Sequence, residues 1–397
     1  MTASADALPR RQAGRLATTL LASSLLGRLP QAMSALALVR IVVDGGGGYA
    51  FAGALTAGYV IASTVGIPVL GRLIDGTGRP RAVLLVAAAL SSVAFVEVAL
   101  LATAAPPAAL VCGVVAGFAS PPLEPTLRSL WPRIMAPGRQ LARAFSADAA
   151  AQEVLYILGP LLAVLAVAAL GARGGVLVMA AAGLVGTALF CVHRLLRPRP
   201  AEAGERVAHP SALRTRAVRT LVIALVGGGL PIGALTISAA RFAALTGAPS
   251  LNGWALAINA GGALTGALLI ARFPLRTPPE RALRGLLLLL ALLYLPTAAF
   301  GLPTVVWLAG AFVAGLALPP LLTQVFAITA TAAPAAALTE ANGWIISAFS
   351  VGIGAGTAVA GALTGAAGTA GAVAAVVGAS ALALLGAGLA TPGRLAA

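Results

Sequence analysis

The chain has 397 residues, 59% hydrophobic and 9% charged, with a mean hydropathy of +0.98 and a formal net charge of +15. Soluble domains carry about 25% charged residues, and disordered chains are poor in apolar side chains, so both classes are excluded. What remains is an all-α polytopic membrane protein, because a bilayer core about 30 Å thick takes about 20 apolar residues per helix.

Taken in chain order, the apolar segments lie near 16–39, 50–71, 82–104, 108–128, 143–171 and 174–194. After a polar gap they resume near 218–240, 252–271, 283–301, 304–328, 339–363 and 370–390, which makes twelve spans. The expected organisation is a tail over 1–15, a six-helix bundle over 16–195, and a Pro- and Arg-containing linker over 196–217 that is expected to be mobile. A second six-helix bundle over 218–391 and a tail over 392–397 complete it.

Every basic residue is Arg, and the arginines alternate between the two sides. Arg10, Arg11 and Arg15 precede the first span. Arg72, Arg79 and Arg81 follow the second, and Arg128, Arg133, Arg139 and Arg143 follow the fourth. The linker region runs from Arg194 to Arg219, the loop after the eighth span holds Arg272, Arg276, Arg281 and Arg284, and Arg394 lies in the last tail. Only Arg40, Arg173 and Arg241 fall on the other side, with Arg28 inside the first span. Positive loops stay in the cytoplasm, so both termini are expected there, in a cytoplasmic (inner) cell membrane. This distribution in short loops also argues against nucleic-acid binding. Cys112 and Cys191 lie in apolar stretches and read as buried free thiols.

The halves repeat each other at an offset of about 200. Gly117-Phe118-Ala119-Ser120-Pro121-Pro122 parallels Gly315-Leu316-Ala317-Leu318-Pro319-Pro320. Pro30 and Arg40 parallel Pro231 and Arg241, and Gly53, Gly66 and Arg72 parallel Gly253, Gly266 and Arg272. Six spans per half insert in the same sense, the plan of parallel transporter repeats with a substrate site between them near the midplane.

The loop after the second span reads Gly71-Arg72-Leu73-Ile74-Asp75-Gly76-Thr77-Gly78-Arg79-Pro80-Arg81. Here the chain resembles the major facilitator superfamily, whose signature is Gly-x-Leu-x-Asp-x-x-Gly-Arg-x-Arg. Gly71, Leu73, Asp75, Gly78, Arg79 and Arg81 match it, while Gly76 stands where a basic residue is usual. Gly71 permits close helix approach. Asp75 can pair with an Arg or accept bonds from a helix N-terminus, and Gly78 suits a tight turn. The resemblance implies two parallel six-helix repeats and a gating role for this loop. Gly159-Pro160 in the fifth span keeps the core of a pattern that exporting members carry, with Leu155, Ala163 and Val164 departing from it. The same dipeptide is also an ordinary bend. Gly352, Gly354, Gly356 and Gly361 read as close helix packing rather than a site.

Charges inside the bilayer cost about 2.5–3.5 kcal/mol each on the insertion scale, so the few present are informative. Arg28, Glu97, Glu124, Asp148 and Glu153 all belong to the first half. Glu153, Glu124 and Glu97, in that order, are the proton-coupling candidates, with Arg28 as a partner for Glu153 in one state of the cycle; a fixed pair of Glu124 with Arg128 is the structural alternative. Asp148, Gln152 and Tyr156 share a helix face. Tyr156, Asn259 and Gln324 are the substrate-cavity candidates, helix-to-helix bonding being the alternative for the second-half residues. Thr339-Glu340 reads as a local cap for the eleventh span.

No catalytic residue, cofactor or metal is expected: His193 and His209 both lie at or in the linker, and no phosphate loop is present. The expected function is proton-coupled efflux of small organic compounds by a monomer in a lipid bilayer. A proton-coupled importer and a non-transporting receptor or scaffold stay open.

Overall fold

The computed structural model describes residues 10–136, 138–197, 211–248, 250–275, 277–391 and 393. Most of the expected linker, with Arg199 and His209, lies outside them, as do Arg276, Arg394 and the first nine residues.

Among the described residues the chain is helical, with α1 over Arg10–Val43, α2 over Tyr49–Thr77 and α3 over Pro80–Leu101. Next come α4 over Pro106–Phe118, α5 over Leu123–Ile134 and α6 over Arg139–Val192. Then follow α7 over Arg216–Thr246, α8 over Ser250–Arg272, α9 over Pro279–Tyr294, α10 over Thr304–Gly315, α11 over Leu318–Ala332 and α12 over Leu338–Leu389. The fourth span is α4 with α5, broken where Pro121 and Pro122 withhold backbone donors. The tenth is α10 with α11, broken just ahead of Pro319 and Pro320.

Ten helical stretches are long and apolar enough to cross a membrane. Two of them, α6 and α12, hold two spans each. At 1.5 Å per residue the 54 residues of α6 would run about 80 Å, far beyond the roughly 30 Å of a bilayer core. The chain instead breaks at Gly171 (φ 74°) and at Gly368 (φ 57°), a left-handed backbone that glycine tolerates without a Cβ penalty. After Gly171 the chain doubles back, so that Gly175 packs on Val167 and Gly371 likewise meets Leu363. Counting both breaks, the twelve-span fold is present.

The chain forms two compact units. One takes Met1–Ala136, Val154–Ser211 and Ala336–Gly343; the other takes Pro137–Glu153, Ala212–Ala335 and Trp344–Ala397. Each unit therefore includes a helix start from the opposite half of the sequence. In the second unit, Phe145 of α6 packs on Phe326 of α11, with ring centroids 6.1 Å apart, and Ser146 meets Thr323 at 3.5 Å. In the first unit, the opening turns of α12 rest on α2, where Gly343 lies against Pro68.

The repeat has a packing meaning. In the first unit, α2 and α4 approach so closely that a Cβ on Gly66 would strike the carbonyl of Phe118, and one on Gly117 that of Tyr59. In the second, Gly266 faces the carbonyl of Leu316 in the same way, and Gly315 that of Asn259. Gly53 and Gly253 border open space, so that part of the match is not explained by packing. Gly352 and Gly356 do serve close packing, against Val226 and Leu230 of α7, whereas Gly354 meets nothing and Gly361 only the end of Ile237.

Candidate functional site

The Gly71–Arg81 segment closes α2 and opens α3. Gly78 takes the left-handed conformation (φ 61°) that ends α2, and its N–H donates to the Ile74 carbonyl at 3.0 Å. Arg79 stands just before Pro80, the first residue of α3, and both Arg79 and Arg81 are exposed. Nothing lies within 4 Å of a Cβ built on Gly76, where the usual basic residue is missing.

Asp75 accepts a hydrogen bond from the backbone N–H of Glu340 at 2.7 Å, and the Thr339 backbone joins it. Of the two partners the sequence leaves open for Asp75, the structure shows the helix N-terminus. The first N–H groups of a helix have no internal acceptor and carry its positive dipole end. Ala337, just ahead of α12, has no side chain to supply one, so Asp75 caps α12 from another helix. Gly71 makes this possible: a Cβ there would lie 3.0 Å from the Thr339 carbonyl oxygen.

This corrects the reading of Thr339-Glu340 as a local cap. The Glu340 carboxylate instead accepts from Ser211 Oγ at 2.7 Å, and Thr339 Oγ1 meets Ser129 Oγ at 3.3 Å. Ser129 and Ser211 are the residues that sequence reasoning missed. Neither carries a signal in the sequence, because each meets a side chain of Thr339 or Glu340 from a distant segment.

Arg28, Glu124 and Arg128 form a buried ionic cluster in the first unit. Arg28 Nη2 donates to Glu124 Oε2 at 2.8 Å, and Arg128 Nη1 to Glu124 Oε1 at 2.6 Å. Their exposures are 1%, 8% and 3%, so solvent screens the attraction little. The break at Pro121-Pro122 places Glu124 in the first turn of α5, with Arg128 one turn later on the same face. The pairing of Arg28 with Glu153 is an expectation for one state of the cycle only; in this structure the carboxylate that meets Arg28 is Glu124. The reason is packing, since Gly27, beside Arg28, brings α1 against Leu123, beside Glu124. The pair of Glu124 with Arg128 is present as the structural alternative held.

Glu153 is half-buried in the second unit and makes no ion pair among the described residues. Asp148, five residues earlier, is fully buried. Glu97 is half-buried on α3. Asn259 donates to the Ala311 carbonyl at 2.8 Å and to Tyr294 Oη at 3.4 Å, so it ties α8 to α9 and α10. Gln324 is buried on α11, and Tyr156 is half exposed. Gly159 packs tightly against Ala32 of α1, and Pro160 follows without breaking α6.

The Major Facilitator Superfamily model matches residues 20–317. Among solved structures, the chain resembles that of the human organic anion transporter MFSD10 (TETRAN), with a TM-score of 0.74 at 16% identity, covering 96% of this chain and 100% of that one. It is similar to a bacterial homologue of the iron transporter ferroportin in its outward-facing state, with a TM-score of 0.74 at 16% identity over 95% of this chain and 98% of that one. It is also similar to a single-residue variant of the E. coli fucose:proton symporter FucP, with a TM-score of 0.70 at 15% identity and coverages of 95% and 98%. At these identities the likeness shows the fold. No match to a curated protein is found by sequence.

Proposed function

Because the chain belongs to the Major Facilitator Superfamily and is a membrane transporter rather than an enzyme, we propose that it works as a proton-driven exporter of small organic compounds. Transport would run by alternating access in the inner cell membrane, with both termini cytoplasmic and one chain sufficient.

The observation that carries the coupling part is the contrast between two carboxylates. Glu124 is clamped by Arg28 and Arg128, which suits a fixed structural charge. Glu153, half-buried in an apolar helix and without an ion pair among the described residues, is the carboxylate able to take up and release a proton during the cycle. On this proposal Glu153 comes first as the coupling group, and Glu124 and Arg28 serve as support.

Export is supported by the Gly159-Pro160 core, which exporting members of the family carry. The polar side chains of the second half are few, and Asn259 is engaged in joining helices, so an apolar or amphipathic compound suits the cavity better than a sugar. The similar solved transporters differ in cargo, which leaves the substrate to be found by growth-inhibition profiling across a compound panel.

The test is proton-driven transport by Glu153→Gln in vesicles, measured beside energy-independent exchange. Loss of concentrative transport with exchange retained supports the coupling role. If the variant still concentrates substrate against a gradient with normal pH dependence, Glu153 is not the coupling group. Net uptake driven by the proton gradient in the wild type would make the protein an importer.

A further inference from the structure

The ends of α1 and α3 and the Gly171 turn border a cleft of about 530 Å³, on the side away from the Arg-rich loops. This lies within the roughly 300–1,000 Å³ of small-ligand sites, and the transport reading does not use it. Its buried floor is apolar, made by Ile41, Ala99 and Ala102. Its polar groups are Asp44, Thr103 and Arg173.

Two of these carry charges with capacity to spare. Arg40 places both Nε and Nη2 on Oδ2 of Asp44, at 3.0 and 2.9 Å, and Oδ1 has no protein partner among the described residues. Arg173 is exposed and makes no ion pair among the described residues. Beside the Arg40–Asp44 pair, the spare Oδ1 of Asp44 and the Arg173 guanidinium at the same cleft suit a ligand that bears both an ammonium and an anionic group. Close by in the chain, Leu100 and Leu170 are 56% and 62% exposed; on a membrane-spanning helix such side chains face acyl chains. The cleft therefore sits where headgroups meet hydrocarbon.

We propose that this cleft binds a zwitterionic phospholipid with a primary ammonium, a phosphatidylethanolamine. Its ammonium pairs with Asp44, its phosphate with Arg173, and its acyl chains run along Leu100 and Leu170. A primary ammonium donates charge-assisted hydrogen bonds to a carboxylate. A choline headgroup has no N–H to give, and a glycerol headgroup has no positive charge for Asp44.

Native mass spectrometry of the full chain, released from micelles doped with equal amounts of phosphatidylethanolamine, phosphatidylcholine and phosphatidylglycerol, reads the occupancy. The wild type is expected to retain one ethanolamine lipid selectively. Asp44→Asn and Arg173→Gln are each expected to lower that occupancy about tenfold, the scale of one lost charge-assisted bond. Ala172→Trp fills the cleft with both charges in place and is expected to remove the same lipid, which keeps the test decisive if a charge variant folds poorly. Equal retention of the three lipids by the wild type overturns the proposal, as does undiminished ethanolamine lipid in all three variants. Displacement of the lipid by an equal concentration of free glycerophosphoethanolamine overturns the lipid assignment and gives the cleft to a soluble zwitterion.

Discussion

Replacing Glu124 by Gln keeps the shape of the side chain and deletes its charge, and the surroundings of that charge set the cost. The carboxylate serves Arg28 at 2.8 Å and Arg128 at 2.6 Å, and all three side chains are buried. Glutamine retains one acceptor oxygen but turns an NH2 group toward a donor. It also takes the shared countercharge away from two buried guanidinium groups, which cannot lose their protons at ordinary pH. Removing one partner of a buried pair costs about 3–5 kcal/mol. At roughly 2–4 °C per kcal/mol for a unit of this size, the melting temperature is expected to fall by about 6–20 °C. Arg128→Gln provides the comparison. It leaves Glu124 paired with Arg28 and forfeits one charge-assisted bond, about 1.5–3 kcal/mol. Thermal unfolding of the purified variants in one detergent, followed by circular dichroism, reads both values. The expected order is Glu124→Gln well below Arg128→Gln, and Arg128→Gln below wild type. A melting temperature for Glu124→Gln within about 2 °C of wild type, or equal losses in the two variants, would refute the role of Glu124 as the shared centre of the cluster.

Asp75→Asn should keep the fold but weaken the cap on α12 by about 1 kcal/mol, the dipole and charge contribution; vesicle transport is expected to drop severalfold with little change in melting temperature, and wild-type transport would remove Asp75 from the mechanism. Gly117→Val and Gly315→Val each push a side chain onto a backbone carbonyl across a helix pair, so each is expected to cost about 1–3 kcal/mol, readable as a lower melting temperature; a neutral result at either site would contradict the packing equivalence of the two repeats. A reporter fused after Arg394 should read as cytoplasmic, and an external signal would reverse the proposed orientation.

The spans were legible because membrane helices announce themselves by length and apolarity, and Gly78 because a left-handed turn needs that residue. The Asp75 contact was half legible. A carboxylate beside Gly71 pointed to a neighbouring helix, and which one was hinted only by the lack of a side chain at Ala337 to cap α12. The partner of Arg28 was not legible. Sequence gives a charge its approximate depth, and both Glu124 and Glu153 lie at depths a long Arg side chain can reach. The choice is made by the close seat of Gly27 on Leu123 and by the break at Pro121-Pro122 that aims the start of α5, neither of which a period or a spacing encodes. The boundaries within α6 and α12 were foreseen as short gaps near 171–174 and 363–370; glycine makes each a reversal of almost no length.

The tight reversals at Gly171 and Gly368 bear on how the protein is made. With so little chain between two spans, there is no loop to be threaded across the bilayer ahead of the second one. The fifth and sixth spans, and likewise the eleventh and twelfth, are joined closely enough to enter the membrane as paired hairpins. The same brevity leaves little chain at either turn for a protease to grip or for an inserted tag to extend, so these hairpins are poorly suited to lengthening.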